Sequence, residues 1–299
     1  MRNADWLRLF LLSLLSGGSF FFGEIAVETL PPLTLAGLRV SLAALTLVLL
    51  LAAGGRLANL AAWPWPDLLV MGLLNNAIPF SLILWGQSEI DSGPAAILNA
   101  TTPFWTLVLA TWLLPSEGLT PLRLAGLLLG LAGVTVLIGP DALEGLGGSL
   151  WHEMAVLGAA LSYGCAALWG RRLKGLSVWQ AAGGQLIGSS LVLLPLALVL
   201  DRPWSLPFPG LAASASVLGL ALLSTALAYL LYFRILRNAG PANLSLVTML
   251  VPASALLLGA LFLGERLGWT EAAGLAFVLA GLAVLDGRIG RIFSSKQTF

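Results

Sequence analysis

A single cysteine, Cys165, and a single histidine, His152, leave nothing from which to build a disulfide framework or a His/Cys metal centre. Charge is equally scarce. Asp, Glu, Lys and Arg make up 10% of the chain, against roughly 25% in an ordinary soluble domain, so there are too few polar groups to cover a surface facing water. The two lysines, Lys174 and Lys296, are followed by Gly and Gln, so no G-x-x-x-x-G-K-[ST] phosphate loop exists to bind ATP in that way. A net charge of +1 offers no basic face for nucleic acid. Intramembrane enzyme chemistry would call for converging Asp, His or Ser-Lys groups, and the apolar segments are nearly free of acids.

What the chain has in abundance is apolar length. It is 58% hydrophobic, with a mean hydropathy of +0.94. Its apolar runs approach the ~20 residues a helix needs to cross the hydrocarbon of a bilayer. The alternating ~10-residue segments of a transmembrane barrel are absent. The expectation is an all-α integral membrane protein with ten transmembrane helices: 7–27, 33–53, 67–87, 92–114, 121–139, 153–170, 178–200, 211–233, 240–263 and 269–286. The opening "MRNADWLRLFLLSLLSGGSFFFG" has the look of a signal peptide, but Asp5 and the apolar run continuing through Phe22 favour a retained first span. With both termini in the cytoplasm, every Lys and Arg outside the spans except Arg202 and Arg266 falls on the cytoplasmic side, as expected for short loops. Trp6, Trp63, Trp65, Trp151, Trp179, Trp204 and Trp269 fall near span ends and read as headgroup-level anchors.

The chain also repeats itself. "EGLTPLRLAGLLLGLAGVTVL" (117–137) aligns without gaps on "ERLGWTEAAGLAFVLAGLAVL" (265–285), placing Glu117 on Glu265, Gly126 on Gly274 and Gly133 on Gly281. Upstream, Gly93-Pro94 falls on Gly240-Pro241, Gly72 on Gly219, and Pro103 and Pro252 each follow the Gly-Pro pair by about three turns. Five spans per repeat is an odd number, so the second copy crosses the bilayer in the opposite sense. That predicts two inverted five-helix repeats, residues 1–140 and 141–299, around a central cavity, an arrangement common in secondary transporters.

The doubled pattern of Gly-Pro, mid-span Pro, Glu-x-Leu and Gly-x6-Gly resembles the EamA repeat of the drug/metabolite transporter superfamily. Within it, the chain looks like the bacterial exporters of aromatic and other neutral amino acids of the YddG type, although "SGGSFFFGE" stands where members often carry a Trp-Gly pair. The resemblance implies a multi-pass protein of the bacterial inner membrane that exports metabolites by alternating access, without a cofactor.

The residues themselves point to a polar turn inside the bilayer. Proline frees the carbonyl four residues back. Pro79 frees Asn75, Pro103 frees Asn99 and Pro252 frees Thr248, so each break coincides with a polar side chain. Such turns must face protein or a wet cavity, never lipid. Helical spacing puts Asn76 with Phe80 on one face, and Thr225 with Tyr229 and Tyr232 on another; Ser162, Ala166 and Trp169 share a face beside Tyr163. Asn75, Asn76, Pro79, Phe80, Asn99, Pro103, Tyr163, Tyr229 and Thr248 are therefore the candidate substrate-binding residues. The competing reading is that the amides and hydroxyls only bridge helices.

Glu24 and Arg39 are the two ionisable groups placed within the hydrocarbon. Two readings stay open for them: a structural charge pair or snorkelling, and a proton-coupling carboxylate at Glu24. Without converging Lys and Arg, an anionic sugar or phosphate is a poor match. Amides, phenols and freed carbonyls among apolar walls suit a small neutral or zwitterionic molecule such as an amino acid. The alternative is a multidrug or organic-cation exporter that uses embedded Glu24 for charge compensation. A simple channel accounts less directly for the repeat.

Overall fold

The computed structural model describes residues 3–54, 60–113, 120–138, 149–239 and 246–285, and every regular element among them is helical. Glu117, Gly240, Pro241 and the expected boundary between residues 140 and 141 lie outside the described residues. The helices are α1 (Asn3–Val27), α2 (Pro32–Ala53), α3 (Trp65–Gly72 continuing through a π turn at Leu73–Ala77 into Ile78–Gly86), α4 (Ser92–Asn99, then Thr102–Leu113), α5 (Pro121–Ile138), α6 (Leu150–Trp169), α7 (Val178–Leu200), α8 (Gly210–Leu218, a π turn at Gly219–Leu227, then Ala228–Ala239), α9 (Leu246–Leu258 into a π turn at Gly259–Leu263) and α10 (Trp269–Leu285). Among them α1, α2, α3, α4, α7 and α8 are long and apolar enough to cross a membrane, while α5, α9 and α10 contain shorter apolar stretches.

Local chemistry explains the helix starts. Proline opens α2 and stands in the first turn of α3, where its missing N–H costs nothing. At the start of α7, Ser177 and Gln180 form a reciprocal capping box. Leucines such as Leu49, Leu191 and Leu200 point outward, where lipid is the solvent.

Packing follows a regular scheme. α5 lies on α10 and α2 on α7; α1 packs on α9 as α6 packs on α4; α3 packs on α6 as α8 packs on α1; α3 packs on α7 as α8 packs on α2. Along the α5–α10 seam Gly126 meets Gly281 and Gly133 meets Gly274, so the two helices run antiparallel. A methyl on Gly281 would lie 2.6 Å from the carbonyl oxygen of Gly126 and 2.8 Å from the amide nitrogen of Gly130. Small residues here let two backbones touch, the usual basis of helix association in lipid. Gly17 of α1 packs on Ser254 of α9, and Gly164 of α6 packs on Trp105 and Thr106 of α4.

The connections gather at two ends. At one, Thr34 donates to Asp201 through both its amide (2.7 Å) and its hydroxyl (2.8 Å). There too Ser92 donates its hydroxyl to Glu265 Oε1 at 2.6 Å, and the Ser92 and Gly93 amides each donate to that carboxylate at 3.3 Å. Glu265 thus caps the positive end of α4 from another helix corner. At the other end, Trp169 donates to the Asp67 carbonyl at 3.2 Å, and Arg172 lies 3.9 Å from the Asp67 carboxylate.

The tryptophans divide. Trp6, Trp151, Trp204 and Trp269 are exposed, as headgroup anchors should be, but Trp63 is only 7% exposed and packs with Leu51, Leu68 and Leu173. Its ring is held by stacking on Trp65 (5.7 Å between centroids), which converts an expected anchor into a core plug.

Because the α5–α10 contact is backbone against backbone, Gly281→Ala should lower the apparent melting temperature in detergent, overpacking typically costing about 1–3 kcal/mol. Gly183→Ala, where the nearest atoms lie 3.8 Å away, should leave it unchanged. Fluorescence-detected size-exclusion after a heating series distinguishes the two.

Candidate functional site

The polar cluster is assembled on the π turns of α3 and α8. A π turn shifts the hydrogen-bond ladder from i−4 to i−5, which loosens carbonyls and is frequent at functional positions. In α3 the turn spans Leu73–Ala77, ahead of Pro79, so the ring that cannot donate falls where the ladder is already displaced. The Leu74 carbonyl accepts from Ser162 on α6 at 2.8 Å. The carbonyl of Asn75, which Pro79 leaves without an amide, lies 3.4 Å from the Tyr229 hydroxyl.

Around that turn the side chains interlock. Asn75 Nδ2 donates to Gln185 Oε1 at 2.9 Å and to the Tyr229 oxygen at 3.2 Å. Asn76 is fully buried; its Nδ2 donates to the Gln185 carbonyl (3.3 Å) and to Ser189 Oγ (3.4 Å), while Tyr229 donates to Asn76 Oδ1. Gly72 makes this possible: a methyl there would meet the Gln185 carbonyl at 2.5 Å, so only glycine lets α3 approach the α7 backbone so closely. Gln185 Nε2 is buried with no partner.

Arg39 forms the second half of the cluster. Two turns into α2 and 4% exposed, it donates from Nε to Thr225 Oγ1 at 2.8 Å. Thr225 in turn donates to the Leu220 carbonyl, five residues back in the π turn, at 2.7 Å. The guanidinium carbon sits 3.6 Å from the centroid of Phe80, and Tyr163 and Tyr229 lie within electrostatic reach. A guanidinium cannot shed its proton to escape burial, and the effective penalty for burying such an ion is on the order of several kcal/mol. The Phe80 face returns about 2 kcal/mol when desolvated, and a hydrogen bond from a charged donor about 1.5–3 kcal/mol. No acid among the described residues supplies the balance.

The expected Glu24–Arg39 pair is not formed. Glu24 instead accepts from Gln87 Nε2 at 3.3 Å, in a group whose other member is the Phe20 carbonyl (2.8 Å from the same nitrogen), near Glu28, Asp91 and Glu265. Both charges fall in the outer half of the expected spans, which made a pair possible; the helix faces send Glu24 toward α3's end and Arg39 toward α8. Tyr232 is also displaced from its expected place. It is 39% exposed and lies edge-on against Phe233, three residues past Tyr229 on the regular helical stretch that follows the π turn.

Asn75, Asn76, Phe80, Tyr163 and Tyr229 thus come together with Arg39, and Pro79 lies beside them. Asn99, Pro103 and Thr248 do not join by any hydrogen bond among the described residues. The Asn99 carbonyl freed by Pro103 is taken by Thr102 at 2.8 Å, leaving Asn99 Oδ1 buried and unpartnered. Gln185 and Ser189 are site residues that helical spacing missed; an uncharged amide between glycines in "GGQLIGSS" is the signal that could have found them. A groove of about 570 Å³ opens elsewhere, between the start of α2 and the α7–α8 connection, lined by Leu30, Thr34, Phe208 and Val217.

With this geometry in hand, the sequence profile of the EamA-like transporter family matches residues 6–139 and 150–285. The chain belongs to the EamA-like transporter family, a family of transporters and not of enzymes. The uncharacterized inner membrane transporter YedA of Escherichia coli K12 is 28% identical over 280 residues, covering 93% of this chain and 89% of YedA. The probable amino-acid metabolite efflux pump of the same strain is 27% identical over 293 residues, 95% of each chain. A crystal structure of a protein 19% identical superposes with a TM-score of 0.67 over 95% of this chain and 98% of that one, a likeness of fold.

The Asn76–Tyr229 contact gives a double-mutant test. Asn76→Leu and Tyr229→Phe should each destabilise by about 1–3 kcal/mol, since each strands a buried polar partner. The double variant should fall short of the sum by at least about 0.5 kcal/mol. Unfolding in mixed micelles reads both quantities.

Proposed function

We propose that this protein is a secondary exporter of small neutral or zwitterionic metabolites, amino acids with aromatic side chains among them, working by alternating access in a bacterial inner membrane. The observation that carries this reading is the polar cluster inside an apolar bundle, to which α2, α3 and α6 and the later helices α7 and α8 all contribute. Amides, phenols and loosened carbonyls surrounded by apolar walls match a molecule that is polar at one end and apolar at the other. The likeness to the amino-acid metabolite efflux pump points to the same class of cargo, and the likeness to YedA to the same membrane. The narrower YddG-type reading, with aromatic substrates, is part of this proposal.

The alternation rests on two inverted five-helix repeats. The packing scheme supports it: exchanging α1–α5 with α6–α10 turns the set of major helix pairs into itself. Antiparallel α5 and α10 agree with an opposite sense of crossing, and the π turns of α3 and α8 start one residue beyond the aligned glycines Gly72 and at Gly219. In this reading both termini are cytoplasmic, Asp67 and Arg172 lie at the inner end, and Thr34, Asp201, Ser92 and Glu265 at the outer end.

Purified protein in liposomes, challenged with a panel of radiolabelled amino acids and a lipophilic cation, tests the reading. Amino-acid flux that persists in Glu24→Gln but drops at least tenfold in Asn76→Leu is the expected result. Cation flux alone, abolished by Glu24→Gln, would establish the organic-cation alternative in its place. Orientation is checked separately in a Cys165→Ser background: an impermeant maleimide applied to whole cells should label Asp201→Cys and not Arg172→Cys.

A further inference from the structure

Arg39 is buried with part of its donor set uncommitted. Its Nε is committed to Thr225, and one face of its plane is committed to Phe80. Nη1 and Nη2 make no hydrogen bond or ion pair with any described residue, although the side chain is 4% exposed. The acids that could have served are engaged elsewhere: Glu24 with Gln87, Asp201 with Thr34, and Glu265 with the start of α4. The Thr225 hydroxyl, tied to the Leu220 carbonyl, holds the guanidinium plane in a fixed orientation.

Two parallel N–H donors in a rigid fork match a carboxylate bidentately. A phosphate would match the fork as well, but its second charge would call for another cation, and Arg39 is surrounded by Phe80, Tyr163 and Tyr229 instead. A monoanionic head on an apolar body fits those neighbours. Asn75 Oδ1 accepts no hydrogen bond from the described residues, so an acceptor for an ammonium group stands on the same turn as the donors to Gln185 and Tyr229.

We infer that Arg39 is the carboxylate anchor of the transport site: the substrate supplies the counter-charge that no described residue supplies, and its side chain lies against Phe80 and the two phenols. This rests on the amino-acid reading above and narrows it. A carboxylate becomes obligatory for recognition, while the ammonium group is secondary. Aromatic amines without the carboxylate are rejected.

The test uses full-length protein in liposomes with phenylalanine as the transported probe. Excess 3-phenylpropionate, which keeps the carboxylate and lacks the ammonium group, should inhibit; phenethylamine and phenylalaninamide should not. Arg39→Gln should raise KM for phenylalanine at least tenfold, and Arg39→Lys should recover part of that loss. Monodisperse elution and an unlowered melting temperature establish that Arg39→Gln is folded. Unchanged KM in folded Arg39→Gln, or inhibition by phenethylamine equal to that by 3-phenylpropionate, overturns the assignment. A thermal-shift arm separates this failure from failure of the exporter reading. Stabilisation of the wild type by 3-phenylpropionate, lost in Arg39→Gln, upholds the anchor even if no amino acid is moved. Absence of that shift in the wild type, together with absence of inhibition, removes the anchor even if amino acids are moved.

Discussion

Hydrocarbon offers no hydrogen bonds, and the rest of the molecule is organised around that constraint. A polar group placed in a span is driven to turn inward, where partners can be found. Asn76 is fully buried and bonded on both its donor and acceptor sides, Ser162 closes on a loosened carbonyl, and Thr225 both donates and accepts. Glycine makes the inward turn possible. Gly72 brings α3 against the α7 backbone near Gln185, so the amides meet across a gap too narrow for a side chain.

The helical segments and their order were legible because a lipid-facing helix announces itself by length and composition. The duplicated landmarks were legible too, since Gly-Pro and spaced glycines survive as a pattern when leucines and alanines interchange. What could not be read were the π turns. A shift from i−4 to i−5 has no residue code of its own, and it changes which face every later residue occupies.

The candidate site was legible in part for a related reason. Proline plus a polar residue flagged Asn75, Asn99 and Thr248 equally, because the argument considers only the freed carbonyl. Three-dimensional neighbours decide what happens next. At Asn75 the neighbour is Tyr229 from α8, whereas at Asn99 it is Thr102 from the same strand of chain, so one break opens toward a site and the other heals locally. Gln185 escaped notice because its importance comes from the α3 turn opposite. Glu24 and Arg39 were grouped by embedded charge and depth, and neither says anything of helix face.

Charge placement also distinguishes the two ends of the bundle from its middle. The carboxylates are spent on fixing helix ends: Glu265 neutralises the first-turn amides of α4, and Asp201 receives both the amide and hydroxyl of Thr34 at the start of α2. These are cheap positions for an anion, since helix N-termini carry partial positive charge and water is near. The middle holds the opposite case, a cation that cannot be neutralised by proton loss and has a hydroxyl, an aromatic face and two nearby phenols for company. A bundle that needed Arg39 only for stability would do better with a leucine, because replacing a buried charge by apolar packing is commonly neutral or favourable. Held in the cluster with no carboxylate partner among the described residues, Arg39 is therefore a cost to the resting fold.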